Sequence, residues 1–298
     1  MQALSGSATK AKRWKYAPTV GWYDGHRVFI LPDRVIGRPR GDARILPPHH
    51  RIDRQRFKLN RKGSHRDWVK SVAVPAQYSS CMVLGICMAL AAPLLDFLRY
   101  HSFGDLLSGP SKAGKSTAVL VAGSVIGIGQ EENLPNFRTT DPALGELPAT
   151  FNNMLMPINE LGLLKGSAKD RHQRTRDFSY GFAEGRGTTY SKFVSHDYGN
   201  SVDAWRSLGF ASGEETMDQI ASAAGTTRSM GESIRWTDLC GIKRGAKDIF
   251  DRCPKSVSAT DRTKWAAQQC KSLRQAVADS HGVPLAHAAA KFPDGSAR

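Results

Sequence analysis

The sequence predicts an α/β fold: a parallel sheet flanked by helices, preceded by a small basic region containing short strands. Three observations predict it. Apolar runs of strand length alternate with helical patterns through the middle of the chain, which is how strand–helix–strand units read. One strand–helix junction carries the pattern GxxxxGK[ST], at Gly109–Ser116. Charge is uneven, with 17 Lys/Arg against 5 Asp/Glu in residues 1–78 and 25 against 22 in the remainder. The chain of 298 residues suits one large domain or two modest ones. We divide it into a basic region, 1–70, and a core, 71–298, that ends in a helical segment.

The elements follow in order. Residues 1–19 are polar and basic. In GWYDGHRVFILPDRVIG the Asp24-Gly25 pair reads as a turn, RVFILP as a strand and Pro32-Asp33 as the next turn. Residues 38–67 are rich in Arg, Pro and Gly and read as an exposed connector with room for one short strand. From Trp68 to Tyr100 the pattern is helical. Leu84, Met88, Ala91, Leu95 and Leu98 form an apolar stripe, and Ser79-Ser80 supply caps. Phe103–Ser108 is a strand and Lys115–Ile126 a helix ended by glycine. Asp141–Phe151 is a helix capped by Thr140 or Asp141. Met154–Ile158, Trp205–Ala211 and Ile234–Leu239 are strands. Lys247–Ala290 reads as helices broken at Pro254 and at Gly282-Val283-Pro284.

Composition narrows the function classes. The net charge of +15 favours a polyanionic partner such as nucleic acid. Five cysteines, none in CxxC spacing, indicate neither a disulfide framework nor a zinc site. His49-His50 and His65 lack a further ligand at metal spacing. The longest apolar run, Cys81–Leu95, has 15 residues and contains Pro93. A bilayer span needs about 20, so a buried helix is expected, with no membrane partner and a cytoplasmic location.

The chemistry sits at Gly109–Thr117. Glycines let successive N–H groups curl around a phosphate while the following helix points its positive end there. In this phosphate-loop reading Gly109, Pro110, Ser111, Lys112, Ala113 and Gly114 form the cradle and Thr117 follows it. Lys115 reaches the β- and γ-phosphates, and the Ser116 hydroxyl binds Mg²⁺. The expected ligand is therefore ATP with Mg²⁺. Such a loop needs an acidic strand end. Asn159-Glu160, 44 residues after Lys115, fills that place with Asn where Asp is usual. Glu160 would polarise the attacking water. Ser212 closes a further strand and either contacts the γ-phosphate or water, or is a β-turn residue. Arg228 and Arg235 are candidates for sensing phosphate charge in cis or trans, or are surface ion-pair partners.

Several blocks carry a family resemblance in the same order: GWYDGHRVFILPDRVIG, the helix ending APLLDFL, FGDLLSGPSKAGKST, TTDPALGELPATFNNMLMPINELG, YGFAEGRGTTYSK, LGFASGEET and GESIRWTDL. Together they resemble the domain of unknown function 927 family of bacteria and phages, from about Gly21 to Asp251. That family is described as helicase-like with inactivated derivatives, and is similar to AAA+ ATPases near the MCM-type replicative helicases of mobile elements. The resemblance implies an AAA+-like core. It makes Lys115 and Ser116 the phosphate and Mg²⁺ residues and puts Asn159-Glu160 in place of the family's Asp-Glu. It also sets Ser212 in the sensor region and Arg235 where the family has an arginine in a short late strand. Longer relatives carry an upstream, often primase-like part that the resemblance implies this chain lacks.

Two function classes are expected. One is an ATP-hydrolysing, helicase-like motor of phage or mobile-element origin that acts on single-stranded or forked DNA, assembled as a homo-oligomeric ring. The other is a nucleotide-binding module of little turnover with a structural role in a replication or mobile-element complex. Asn159 and the short length favour the second; the basic front and Glu160 favour the first. A small-molecule kinase ranks last, for want of an acceptor-binding signature.

Overall fold

The structure is a computed structural model that describes residues 14–42, 44–48, 58–187, 204–242 and 247–292. Its centre is a four-stranded sheet of β6 (Phe103–Ser108), β7 (Leu155–Ile158), β8 (Leu208–Gly213) and β9 (Trp236–Cys240). The order is β7-β8-β6-β9 and every pairing is parallel. β7 and β8 are buried along their whole length, as expected of a sheet covered on both faces. Pro157 is tolerated in β7 because β7 lies at the edge of this sheet.

Helix α5 (Lys115–Ile126) follows β6 and is buried at all of its positions but Ser116. It is apolar all round because neighbours enclose it. Gly127, at φ +117°, ends it in the left-handed conformation that glycine adopts without cost. On one face α5 meets α3 (Ser80–Ala91), whose Gly85 allows the closest approach: a Cβ there would lie 2.9 Å from the Cβ of Ala122. Two C-terminal helices, α10 (Arg262–Asp279) and α11 (Val283–Ala289), also pack on α5.

The opposite face of the sheet is set by Trp236. Its indole lies flat over Gly104 and Gly209, where an added Cβ would come within 2.7 and 2.4 Å of the ring. Phe178 and Phe182 of α7 (Ala168–Glu184) pack on that indole at centroid distances of 5.2 and 5.3 Å. Short helices α8 (Met217–Ala223) and α9 (Met230–Arg235) complete this side, and α6 (Asp141–Thr150) packs on α7.

Before the core come α1 (His65–Trp68), continuing through a wider turn at Val69–Ala73 into α2 (Val74–Ala76), and α4 (Leu94–Leu98) after Pro93. Further upstream, β2 (Gly21–Tyr23), β3 (Val28–Ile30) and β4 (Val35–Gly37) form an antiparallel sheet. β1 (Trp14–Tyr16) pairs in parallel with β5 (Arg44–Leu46). Trp22 ties the small sheet to the core: its backbone N–H donates to Asn153 Oδ1 at 2.9 Å, and its Nε1 donates to the Pro93 carbonyl at 2.9 Å.

Several elements match the sequence reading, β6, α5 and the Ser79 and Thr140 caps among them. Others correct it. Met88 and Leu95 of the expected stripe are buried, but Leu84 and Leu98 are 37% and 57% exposed, and α3 also buries Met82, Gly85 and Ala89. An all-apolar run does not mark its own buried face, and the small residues face inward because α5 approaches so closely. β8 starts at Leu208, not Trp205, because the Trp205 N–H and indole N–H donate to carbonyls at the end of α7. Residues 230–235 are helical, since Ser229 and Glu232 form a capping box, and β9 begins at Trp236. Residues 247–261 hold no helix, and α7, opened by a Ser167–Asp170 capping box, was not anticipated.

Candidate functional site at the carboxyl ends of the strands

The segment Gly109–Gly114 turns from the end of β6 into the start of α5. Gly109, Lys112 and Gly114 have φ of +156°, +61° and +100°. The turn needs glycine for space as well. A Cβ at Gly109 would lie 2.9 Å from Ile242, and one at Gly114 would lie 2.9 Å from Ile249 and 3.1 Å from Cys270. The chain is thus bare backbone where it curls, with the unpaired N–H groups of a twelve-residue helix behind it.

Lys115 is the first residue of α5 and only 6% exposed. Its Nζ donates to the Pro110 carbonyl at 2.7 Å, across the turn. Burial lowers its pKa, and the carboxylates of Glu214 and Glu160 oppose that shift. The two carboxylates thus favour the ammonium form at the helix end, against the cost of burial.

Glu160 follows β7 with φ +61°, and its backbone N–H donates to Ser212 Oγ at 3.2 Å. Ser212 Oγ in turn donates to Asn159 Oδ1 at 2.5 Å, and the Asn159 N–H donates to the Pro135 carbonyl. Ser212 therefore fastens the end of β8 to the end of β7 and orients the turn that presents Glu160. Adjacent parallel strands place both ends at the same edge of the sheet, which is where α/β sheets gather their ligand-binding residues.

A cleft of about 1200 Å³ opens over this edge. Its walls include Ser111–Thr117, Glu160 and Glu214, and α10 closes it from the far side. The structure brings Lys115, Ser116 and Glu160 together there, with Asn159 and Ser212 supporting Glu160 from beneath. Glu214 and Arg274 were not anticipated as members. Glu214 lies two residues beyond Ser212 on the same turn, so the strand-end argument that found Ser212 reaches it too. Arg274 of α10 donates through Nε to Thr117 Oγ1 at 3.1 Å and pairs with Glu131 at 3.2 Å. No local pattern signals a contact across 157 residues.

Arg228 and Arg235 lie elsewhere. Trp236, next to Arg235, pairs with Gly104 near the start of β6, whereas Cys240 pairs with Ser108 beside the loop. Arg235 therefore sits at the opposite end of the sheet from Lys115. It closes α9 rather than lying in a strand, and its guanidinium stacks 4.5 Å from the Tyr180 ring centroid. The Arg228 side chain is buried and bonds to Asp238, Asp218 and the carbonyls of Glu232 and Trp236, a structural ion-pair role. His49 and His50 lie outside the described residues. His65 stacks on His287 with centroids 4.1 Å apart, and among the described residues no cluster of His, Cys, Asp and Glu has metal-binding form.

The profile of the family described as "Domain of unknown function (DUF927)" matches residues 1–193. The chain belongs to that family. Among solved structures, "SCCmec type IV Cch - active helicase" is similar, with a TM-score of 0.61 at 17% identity over 95% of this chain and 48% of that one. At that identity the likeness is one of fold: a mixed α/β core with a parallel sheet between helices. This DUF927 chain spans about half the length of that helicase. No curated protein matches it. Among the described residues no helix is long and apolar enough to cross a membrane.

Proposed function

We propose that this DUF927 chain is a P-loop ATPase of helicase-like type that acts on DNA in a phage or mobile element. The observation that carries this reading is the position of Lys115. It lies at the N-terminus of α5, inside a glycine-formed turn, in one cleft with Glu160 and Glu214. The likeness in fold to a helicase of a mobile element supports the DNA-acting part, as does the basic region upstream.

The residues suit ATP with Mg²⁺. Gly109 and Gly114 adopt positive φ and pack against Ile242 and Ile249 where a Cβ would sit, a backbone path that lets N–H groups curl around a phosphate. Ser116, Glu160 and Glu214 offer the hard oxygen donors that Mg²⁺ takes. When bound, Mg²⁺ neutralises charge on the β- and γ-phosphates. Of the chain's own groups, the α5 N–H groups and Lys115 hold the phosphates, and Lys115 exchanges the Pro110 carbonyl for a phosphate oxygen. Glu160, oriented through its N–H by Ser212, holds the attacking water by a hydrogen bond and draws on its proton. Arg274, already at Thr117, closes the cleft from α10. Arg235 has no path to this cleft within one chain, so any role in hydrolysis would be in a neighbouring copy of a ring.

One observation favours the reading of a slow or inactive module: Asn159 stands at the strand end where a carboxylate is usual, its oxygen bonded to Ser212. Binding and turnover separate the two. A fluorescent ATP analogue should bind the wild type, and Lys115→Ala should abolish or severely weaken that binding. A Lys115→Ala variant that binds as tightly as the wild type would overturn the nucleotide assignment. ATP turnover stimulated by DNA would decide for the motor.

A further inference from the structure

We propose that the outer face of the β1–β5 ribbon is a base-stacking surface for single-stranded DNA, an inference that rests on the DNA-acting reading above. In the parallel register Trp14 lies beside Arg44, Lys15 beside Ile45 and Tyr16 beside Leu46. Side chains alternate along a strand, so Trp14, Tyr16, Arg44 and Leu46 share one face. Ile45, on the other face, packs against the cluster of Ala17, Val28 and Ile30 inside the small sheet. Ile45 thus fastens the ribbon to the small sheet from one side, and Trp14 and Tyr16 lie on the other face.

Both residues are more than half exposed, Trp14 at 55% and Tyr16 at 56%. Two strand steps set them about 6.6 Å apart along the chain. The Arg44 guanidinium lies over the Trp14 ring, 5.1 Å from its centroid, so the platform is aromatic and cationic at once. Single-stranded nucleic acid binders combine these features, because every unpaired base offers a π-face and every nucleotide a phosphate. A duplex hides its base faces, and an uncharged apolar partner gains nothing from a guanidinium at the centre of its contact. The excess of 17 Lys/Arg over 5 Asp/Glu in residues 1–78 supplies the long-range attraction for a polyanion.

The test measures binding of fluorescent oligo(dT), and of a duplex of the same length, to the full chain. The Trp14→Ala/Tyr16→Ala double variant should lose roughly ten- to a hundred-fold in affinity for oligo(dT). Its duplex affinity and the slope of affinity against salt should stay near wild type, since phosphate contacts remain. Should that variant fold poorly, Trp14→Phe serves: it should keep most of the affinity and lose part of the tryptophan quenching that oligo(dT) causes in the wild type. Unchanged oligo(dT) affinity in the double variant, or unchanged quenching in Trp14→Phe, would overturn the surface while leaving the DNA-acting reading intact. Tighter binding of duplex or of oligo(rU) than of oligo(dT) would overturn the assignment to single-stranded DNA. A wild type that binds no nucleic acid would overturn both.

Discussion

Asp105 lies in the middle of β6, the strand that leads into the Gly109–Gly114 turn, and burial raises its pKa from 3.8 to about 6. Folding therefore works against its charge. Below pH 3.8 the carboxyl is protonated in folded and unfolded chains alike and costs nothing. As pH rises between the two values the unfolded chain releases a proton that the folded chain keeps, and stability falls. Above about 6 the loss is complete. The two pKa values give a loss of about 1 kcal/mol at pH 4.5 and about 3 kcal/mol at pH 7.5. Solvent at the partly exposed carboxylate makes these upper values. Asp105→Asn keeps the shape and never ionises, so it should be more stable than wild type by about 1–3 kcal/mol at pH 7.5, with a smaller gain at pH 4.5. Urea denaturation followed by circular dichroism at the two pH values measures both differences. A variant less stable than wild type at pH 7.5, or a difference independent of pH, would refute the argument that uncompensated burial of this charge weakens the central strand.

Other outcomes follow from the same geometry. Asn159→Asp should raise kcat about tenfold, equivalent to ~1.4 kcal/mol of barrier, because the Ser212 hydroxyl can donate to a carboxylate as it does to Asn159 Oδ1. Glu160→Gln should bind ATP and lose residual turnover; steady-state kinetics on both decide. Gly209→Ala places a methyl 2.4 Å from the Trp236 ring and should cost about 1–3 kcal/mol by overpacking. Gly145→Ala, in α6 with no atom within 4 Å of the new methyl, should stabilise by about 0.5–1 kcal/mol. Thermal melts of the two glycine variants should therefore move in opposite directions.

Between β6 and α5 the sequence was enough. An apolar hexamer, a turn that must be glycine and a helix that must be buried are consequences of neighbouring residues, and the elements begin and end where those residues place them. The same holds for the caps, Ser79 and Thr140, where a side-chain oxygen meets an N–H three residues on. Lys115, Ser116 and Glu160 could be named because each stands at the end of a strand or the start of a helix, and a parallel sheet gathers such ends at one edge.

What depended on distant partners was not legible. The apolar run of α3 fits several buried faces, and the approach of α5 at Gly85 selects one. Gly104 and Gly209 look like weak points in their strands until the Trp236 indole is laid across both. Arg235 and Lys115 belong to one core, yet strand direction sets them at opposite ends of the sheet. Arg274 reaches Thr117 only because α10 folds back over the cleft. Local propensity fixes what a segment becomes, because its hydrogen bonds close within a few residues. Which side chains meet across the sheet depends on packing and strand order, and those are properties of the assembled tertiary structure.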